Sequence, residues 1–109
     1  MNKFLMNSSV IVHDGVYELF SITNGQAKSF MKDKEVCSAI GYQETADVIT
    51  EILNIGVKVS RNKVMMEKGD EALVFKLYNR INKLDKGKLT KDFLRNNYSF
   101  KIMRRIKWY

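Results

Sequence analysis

The sequence predicts an α+β fold in which helices pack against a mixed β-sheet. Three observations carry that prediction. Strand-like and helix-like stretches alternate irregularly, without the strict repeat of a doubly wound fold. The stretch from Ser38 to Asn54, SAIGYQETADVITEILN, reads as the end of a strand, a glycine turn and a helix. The stretch Glu71–Asn79 carries Ala72, Leu73, Val74, Phe75, Leu77 and Tyr78, the strongest strand signal in the chain, which predicts a central place in the sheet. No proline, repeat or linker interrupts the 109 residues, so a single domain over 1–109 is expected.

In chain order, Lys3 to Met6 is the first strand candidate, stopped by Asn7, Ser8 and Ser9, whose side chains favour turns. Val10 to Val12 resumes an extended pattern, His13, Asp14 and Gly15 give a turn signal, and Val16 to Ile22 is rich in β-branched and aromatic residues. These two stretches are expected to pair as a hairpin. Thr23 or Asn24 is placed to cap a helix running to about Asp33, with Ala27, Phe30 and Met31 as its apolar contacts. Val36 to Ile40 is a short apolar run, where Cys37 is expected to be a buried, inert thiol.

After Gly41, the residues Ala46, Ile49 and Leu53 recur at helical spacing, and Val48 and Ile52 widen the face. Glu44, Asp47, Thr50 and Glu51 fall elsewhere, so one side of this helix is expected to be buried. Gly56 is the expected stop, followed by an extended connection through Val57 to Val59 and a strand at Val64 to Met66. Lys68, Gly69 and Asp70 form a turn before the central strand. A polar loop, a short helix over Leu89–Leu94 and a last strand over Tyr98–Tyr109 follow. That strand sets Phe100, Ile102, Ile106 and Trp108 on one face and Lys101, Met103, Arg105 and Lys107 on the other.

Composition narrows the function classes. The hydrophobic content of 45% is ordinary for a globular chain, and no apolar run approaches the length of a membrane span. No secretory or lipidation signal is read, and a single cysteine excludes an intramolecular disulfide, so a reducing cytoplasm is expected. A chain of this size gains from a second copy, and a homodimer is the default. The formal charge of +7 attracts polyanions such as nucleotides, nucleic acids or acidic proteins.

One histidine, His13, supplies neither a zinc site nor a hydrolase triad, and the acidic residues show no metal-binding or glycosidase pairing. No phosphate loop of the Walker or Rossmann kind is present, and neither a metal nor a cofactor is expected. What remains is polar groups at strand ends: Asn7, Ser8 and Ser9, then Gly41, Tyr42 and Gln43, then Arg61, then Lys76, Arg80 and Lys83. Tyr42 and Gln43 begin a helix, where backbone N–H groups and the dipole favour anions. The set is suited to clasping a phosphodiester.

In three ordered blocks, SAIGYQETA, VSRNKV and KGDEALVFKLYNR, the chain resembles the small viral proteins typified by the type III anti-CRISPR ring nucleases, which bind and cleave cyclic tetra-adenylate. The resemblance runs from about Lys3 to Thr90. It implies a homodimer of mixed, about five-stranded sheets flanked by helices, with one cyclic oligonucleotide across the interface. It also implies that Asn7, Ser8 and the start of the central helix line the pocket, and that Arg61 and Arg80 hold phosphates through their planar forks.

The chain departs from the family's pattern at three positions. Tyr42 stands where the family has the histidine that protonates the leaving oxygen, and phenols are poor proton donors at neutral pH beside imidazole. Lys83 replaces a glutamate, with Asp85 a loose substitute before Gly87, and Lys76 replaces a glutamine. The cationic grip is kept and acid–base groups are lost, which is the profile of a sponge.

The first expectation is therefore a viral or phage anti-defence protein of the host cytoplasm that sequesters a cyclic nucleotide second messenger without cleaving it. The alternative is an active, metal-independent ring nuclease in which Tyr42 or positioning alone supports cleavage. A second alternative is a basic module that binds nucleic acid through Arg95, Arg104, Arg105 and Lys107, with Trp108 or Tyr109 stacking on bases. Because those aromatics alternate with the basic residues as a core face would, long nucleic acid is not the expected partner.

Overall fold

The computed structural model of the chain describes residues 2–7, 15–33, 35–60, 64–77 and 98–107. Within them lie five strands and two helices: β1 (Lys3–Asn7), β2 (Val16–Ile22), α1 (Asn24–Met31), β3 (Val36–Ala39), α2 (Gln43–Leu53), β4 (Glu71–Leu77) and β5 (Tyr98–Lys107). The strands form one mixed sheet in the order β2-β5-β4-β1-β3. β1 runs parallel to both β3 and β4, while β5 is antiparallel to β4 and β2. The α+β class, the central place of β4 and the mixed sheet agree with the sequence reading.

Both helices cover one face of the sheet. Leu5, Leu73, Phe75, Phe100 and Ile102 meet Ala27 of α1 and Ala46, Val48, Ile49 and Leu53 of α2 in the main core. Phe75 anchors it, stacked on Tyr98 at 5.4 Å and edge-on to Phe100 at 5.6 Å. The period-2 alternation of the strands sends Met6, Ala72, Val74 and Met103 to the opposite face, where they join Met66 in a smaller cluster.

Local sequence explains the helix ends. The Thr23 hydroxyl accepts from the Gln26 N–H and the Gln26 side chain accepts from the Thr23 N–H, a reciprocal capping box that starts α1. α2 ends at Leu53, three residues before Gly56, because Asn54 takes the left-handed conformation (φ 54°, ψ 39°) that ends a helix. Thr50 Oγ1 then accepts from the Val57 N–H at 3.1 Å and turns the chain back toward β3.

Several expectations change. Val64 to Met66 forms no strand: Met66 is buried instead in the smaller cluster, and its carbonyl accepts from Arg105 Nη1 at 2.6 Å. Cys37 is exposed, because β3 is the edge of the sheet and this residue faces away from the helices. Arg105 is buried and Ile106 exposed, the reverse of the expected apolar and basic faces of β5 at that end. The described partner of β2 is β5, and the hairpin partner Val10–Val12 lies outside the described residues, as do His13 and the helix expected at Leu89–Leu94.

Asp70 closes the turn before β4. Its buried carboxylate accepts from the Asn2 N–H and the Glu67 N–H, both at 2.8 Å, and its carbonyl accepts from the Arg105 N–H at 3.1 Å. The φ of 87° at the preceding Gly69 explains the glycine there. Asp70→Ala removes a charged acceptor from two backbone donors and is expected to cost about 2 kcal/mol, measured by urea unfolding.

Candidate functional site

Because β1 is parallel to both neighbours, the carboxyl ends of β4, β1 and β3 open on the same edge of the sheet. Asn7 is in register with Phe75, and Met6 with Ala39. Ligands of open sheets with parallel strands bind outside such ends, where the chain leaves each strand for its loop or helix. From β3 the chain passes through buried Ile40 and half-buried Gly41 directly into α2. The Ser60 N–H donates to the Ile40 carbonyl at 2.8 Å, and Ser38 Oγ donates to the Lys58 carbonyl at 2.6 Å. These bonds hold the segment that precedes Arg61 in the sequence against the same end of β3.

Tyr42 is the N-cap of α2, with an extended backbone (φ −122°, ψ 133°), and its side chain makes no capping hydrogen bond. It is 56% exposed. Where α1 is closed by its own capping box, α2 begins with an outward-facing aromatic ring at the positive end of its dipole. Glu44 is the acidic residue in that first turn, so an anion is favoured on the Tyr42–Gln43 side rather than over Glu44. Gln43 is exposed and its Nε2 donates to Asp47 Oδ1 at 2.7 Å. Asp47 is not among the predicted site residues, although its spacing of four from Gln43 signals the contact.

Asn7 is half-buried at the end of β1 on the helix-covered face, sharing parity with Leu5. Lys76 is exposed on β4 and shares parity with Ala72 and Val74, so it projects from the opposite face. The structure thus gathers Asn7, Gly41, Tyr42 and Gln43 at one edge, with Lys76 near that edge but on the other side. Ser8, Ser9, Arg61, Arg80 and Lys83 lie outside the described residues. Gly41 does not have the positive φ seen at Gly69, so no backbone strain requires glycine there.

Two cations of the nucleic-acid reading are engaged within the fold. Arg104 Nη2 and Nε donate to Glu71 Oε2 at 2.6 and 3.2 Å, and the guanidinium is held even more firmly protonated by that bond. Arg105 is 1% exposed and lies 5.3 Å from the Tyr17 ring centroid. Among the described residues, no group of three metal-ligating side chains comes together, and no helix is long and apolar enough to cross a membrane. A separate open cleft of about 520 Å³ lies between the end of α1, β3 and residues 55–58, and contains none of the predicted site residues.

A family model described as STIV B116-like matches residues 3–100. Protein YddF of Bacillus subtilis (strain 168) is 30% identical over 82 residues, covering 73% of this chain and 76% of YddF. Protein 26 of Sulfolobus islandicus filamentous virus (isolate Iceland/Hveragerdi) is 29% identical over 70 residues, 64% of this chain and 57% of that protein. Among solved structures, B116 of Sulfolobus turreted icosahedral virus superposes with a TM-score of 0.72 at 17% identity, over 96% of this chain and all of that one (100%). That last likeness concerns the fold.

Proposed function

Since the chain belongs to the STIV B116-like family, we propose that it binds a cyclic oligonucleotide second messenger at the carboxyl ends of β4, β1 and β3 and sequesters it. The observation that carries this reading is the exposed Tyr42 without a side-chain cap at the start of α2, between Gly41 and Gln43 and on the same sheet edge as Asn7. A ring on the positive end of a helix offers a base a stacking face and its phosphates a favourable field. Arg61, Arg80 and Lys83 supply phosphate contacts in this proposal, with Ser8 beside Asn7, and Lys76 adds charge from the opposite face. Two copies face one cyclic ligand, and the protein acts against host defence in the host cytoplasm.

Sequestration is favoured over cleavage because a phenol stands where the resemblance implies the proton-transferring histidine, and lysines stand where it implies a glutamate and a glutamine. Isothermal titration with cyclic tetra-adenylate should give saturable binding, with the ligand recovered intact by chromatography. Light scattering should give twice the 12.7 kDa of one chain. Tyr42→Ala is expected to weaken binding by about 100-fold, corresponding to the loss of two stacked bases, one on each copy. Recovery of a linear product would support the nuclease alternative, and failure of cyclic tetra-adenylate and other cyclic oligonucleotides to bind would overturn the proposal.

A further inference from the structure

The side chain of Gln43 has one end chemically fixed. Its partner Asp47 is a carboxylate, which accepts hydrogen bonds and donates none. The 2.7 Å contact therefore requires the amide NH₂ to face Asp47, and the carbonyl Oε1 to face away. Both residues lie on the side of α2 away from the core formed by Ala46, Val48, Ile49 and Leu53, and Gln43 is exposed immediately after the Tyr42 ring.

From this geometry we infer that Gln43 is a specificity-determining residue, a fixed hydrogen-bond acceptor that selects base edges carrying an exocyclic amino group over those carrying an oxo group. The inference rests on the cyclic-oligonucleotide reading. A glutamine with an unengaged amide rotates its terminal torsion and offers a donor or an acceptor equally well, so it discriminates little. Asp47 removes that freedom. Turning the amide over would break a charge-assisted bond and set Oε1 against the Asp47 carboxylate. A base with an oxo group at its 6-position would then bring acceptor against acceptor, leaving both without a partner on binding. Tyr42 contributes the sequence-tolerant face contact, and Gln43 reads the edge.

The same Gln43–Asp47 bond also joins two successive turns of α2, but that contact alone predicts no ligand preference. The test compares cyclic tetra-adenylate with cyclic tetra-inosinate, which differ by amino and oxo groups at the 6-position. Titration of the wild-type protein is expected to favour the adenylate by about 100-fold, the effect of one mispaired hydrogen bond in each of the two copies. Gln43→Met, which keeps the length of the side chain without its acceptor, should bring the ratio close to one. Asp47→Ala should do the same by improving inosinate binding, with adenylate affinity changed only a few-fold and the helical circular dichroism retained. Equal binding of both tetramers by the wild type, or a preference that survives both substitutions, overturns the inference and leaves sequestration standing. Failure of both tetramers to bind the wild type overturns the sequestration reading and this inference with it.

Discussion

Tyr42→His is expected to turn retention of cyclic tetra-adenylate into cleavage. The substitution places an imidazole at the N-cap of α2, on a side chain that is exposed and free of capping duties, so the helix should form as before. Imidazole titrates close to neutrality and transfers protons in both directions, which a phenol does poorly at that pH. General acid–base catalysis typically contributes 10²- to 10⁴-fold, and the expected gain here is at the lower end, about 100-fold in single-turnover rate. In the proposed site Lys76 and Lys83 would limit it, since added cations stabilise bound ligand and transition state alike.

The pH dependence has a definite sign. The positive end of α2 disfavours the imidazolium, so the acid form is depleted at neutral pH and the rate should rise as pH is lowered from about 8 to 6. Affinity for uncleaved ligand should stay within a few-fold of wild type. Chromatography of the products decides the matter: tight binding without a linear product at either pH would mean that position 42 does not reach the scissile phosphate.

Much of the fold could be read because local rules and tertiary structure agree. Val16–Ile22 became β2 with the expected bounds, and Thr23 with Gln26 made the cap of α1. The spacing of Ala46, Ile49 and Leu53 placed the buried face of α2. Where local rules failed, a distant partner decided. Met66 lies in a strand-like run, yet its carbonyl goes to a guanidinium 39 residues away instead of a ladder. Cys37 belongs to an apolar run whose strand turned out to be the sheet edge, which no local pattern reveals. Asn54 ended α2 before the glycine that seemed suited to it.

The residue types of the candidate site, Asn7, Gly41, Tyr42 and Gln43, were legible as polar and turn groups at strand ends. That these ends share one edge was not, because it depends on β1 lying parallel between β3 and β4. Period-2 parity within one strand likewise says which residues share a face, but not that Asn7 and Lys76 stand on opposite faces of neighbouring strands.

Arg105 is where the sequence reading went furthest astray, and Arg105→Ala is expected to be the most destabilising of these substitutions. The alternation of β5 put it on the basic face opposite Phe100 and Ile102, but it is 1% exposed and among the largest fully buried side chains. Two backbone bonds and two side-chain contacts hold it in place. Its backbone is tied to the β4 turn through the Asp70 carbonyl and the Gly69 N–H, its Nη1 satisfies the Met66 carbonyl, and its guanidinium lies over Tyr17 of β2. One side chain thereby links β2, β5 and the segment before β4.

Truncation to alanine leaves a cavity of nearly a whole long side chain and orphans a carbonyl, against which the relief of burying a charge is only a partial offset. About 3 kcal/mol of lost stability is expected, read as a shift in urea midpoint with little change in slope. Arg105→Met separates the two contributions. It keeps the stem that fills the space and removes the donor, so its cost should be about half as large if packing dominates. Equal losses in the two variants would show that the polar contacts of the guanidinium dominate, and a loss below about 1 kcal/mol in the alanine variant would mean that Arg105 is not buried in solution.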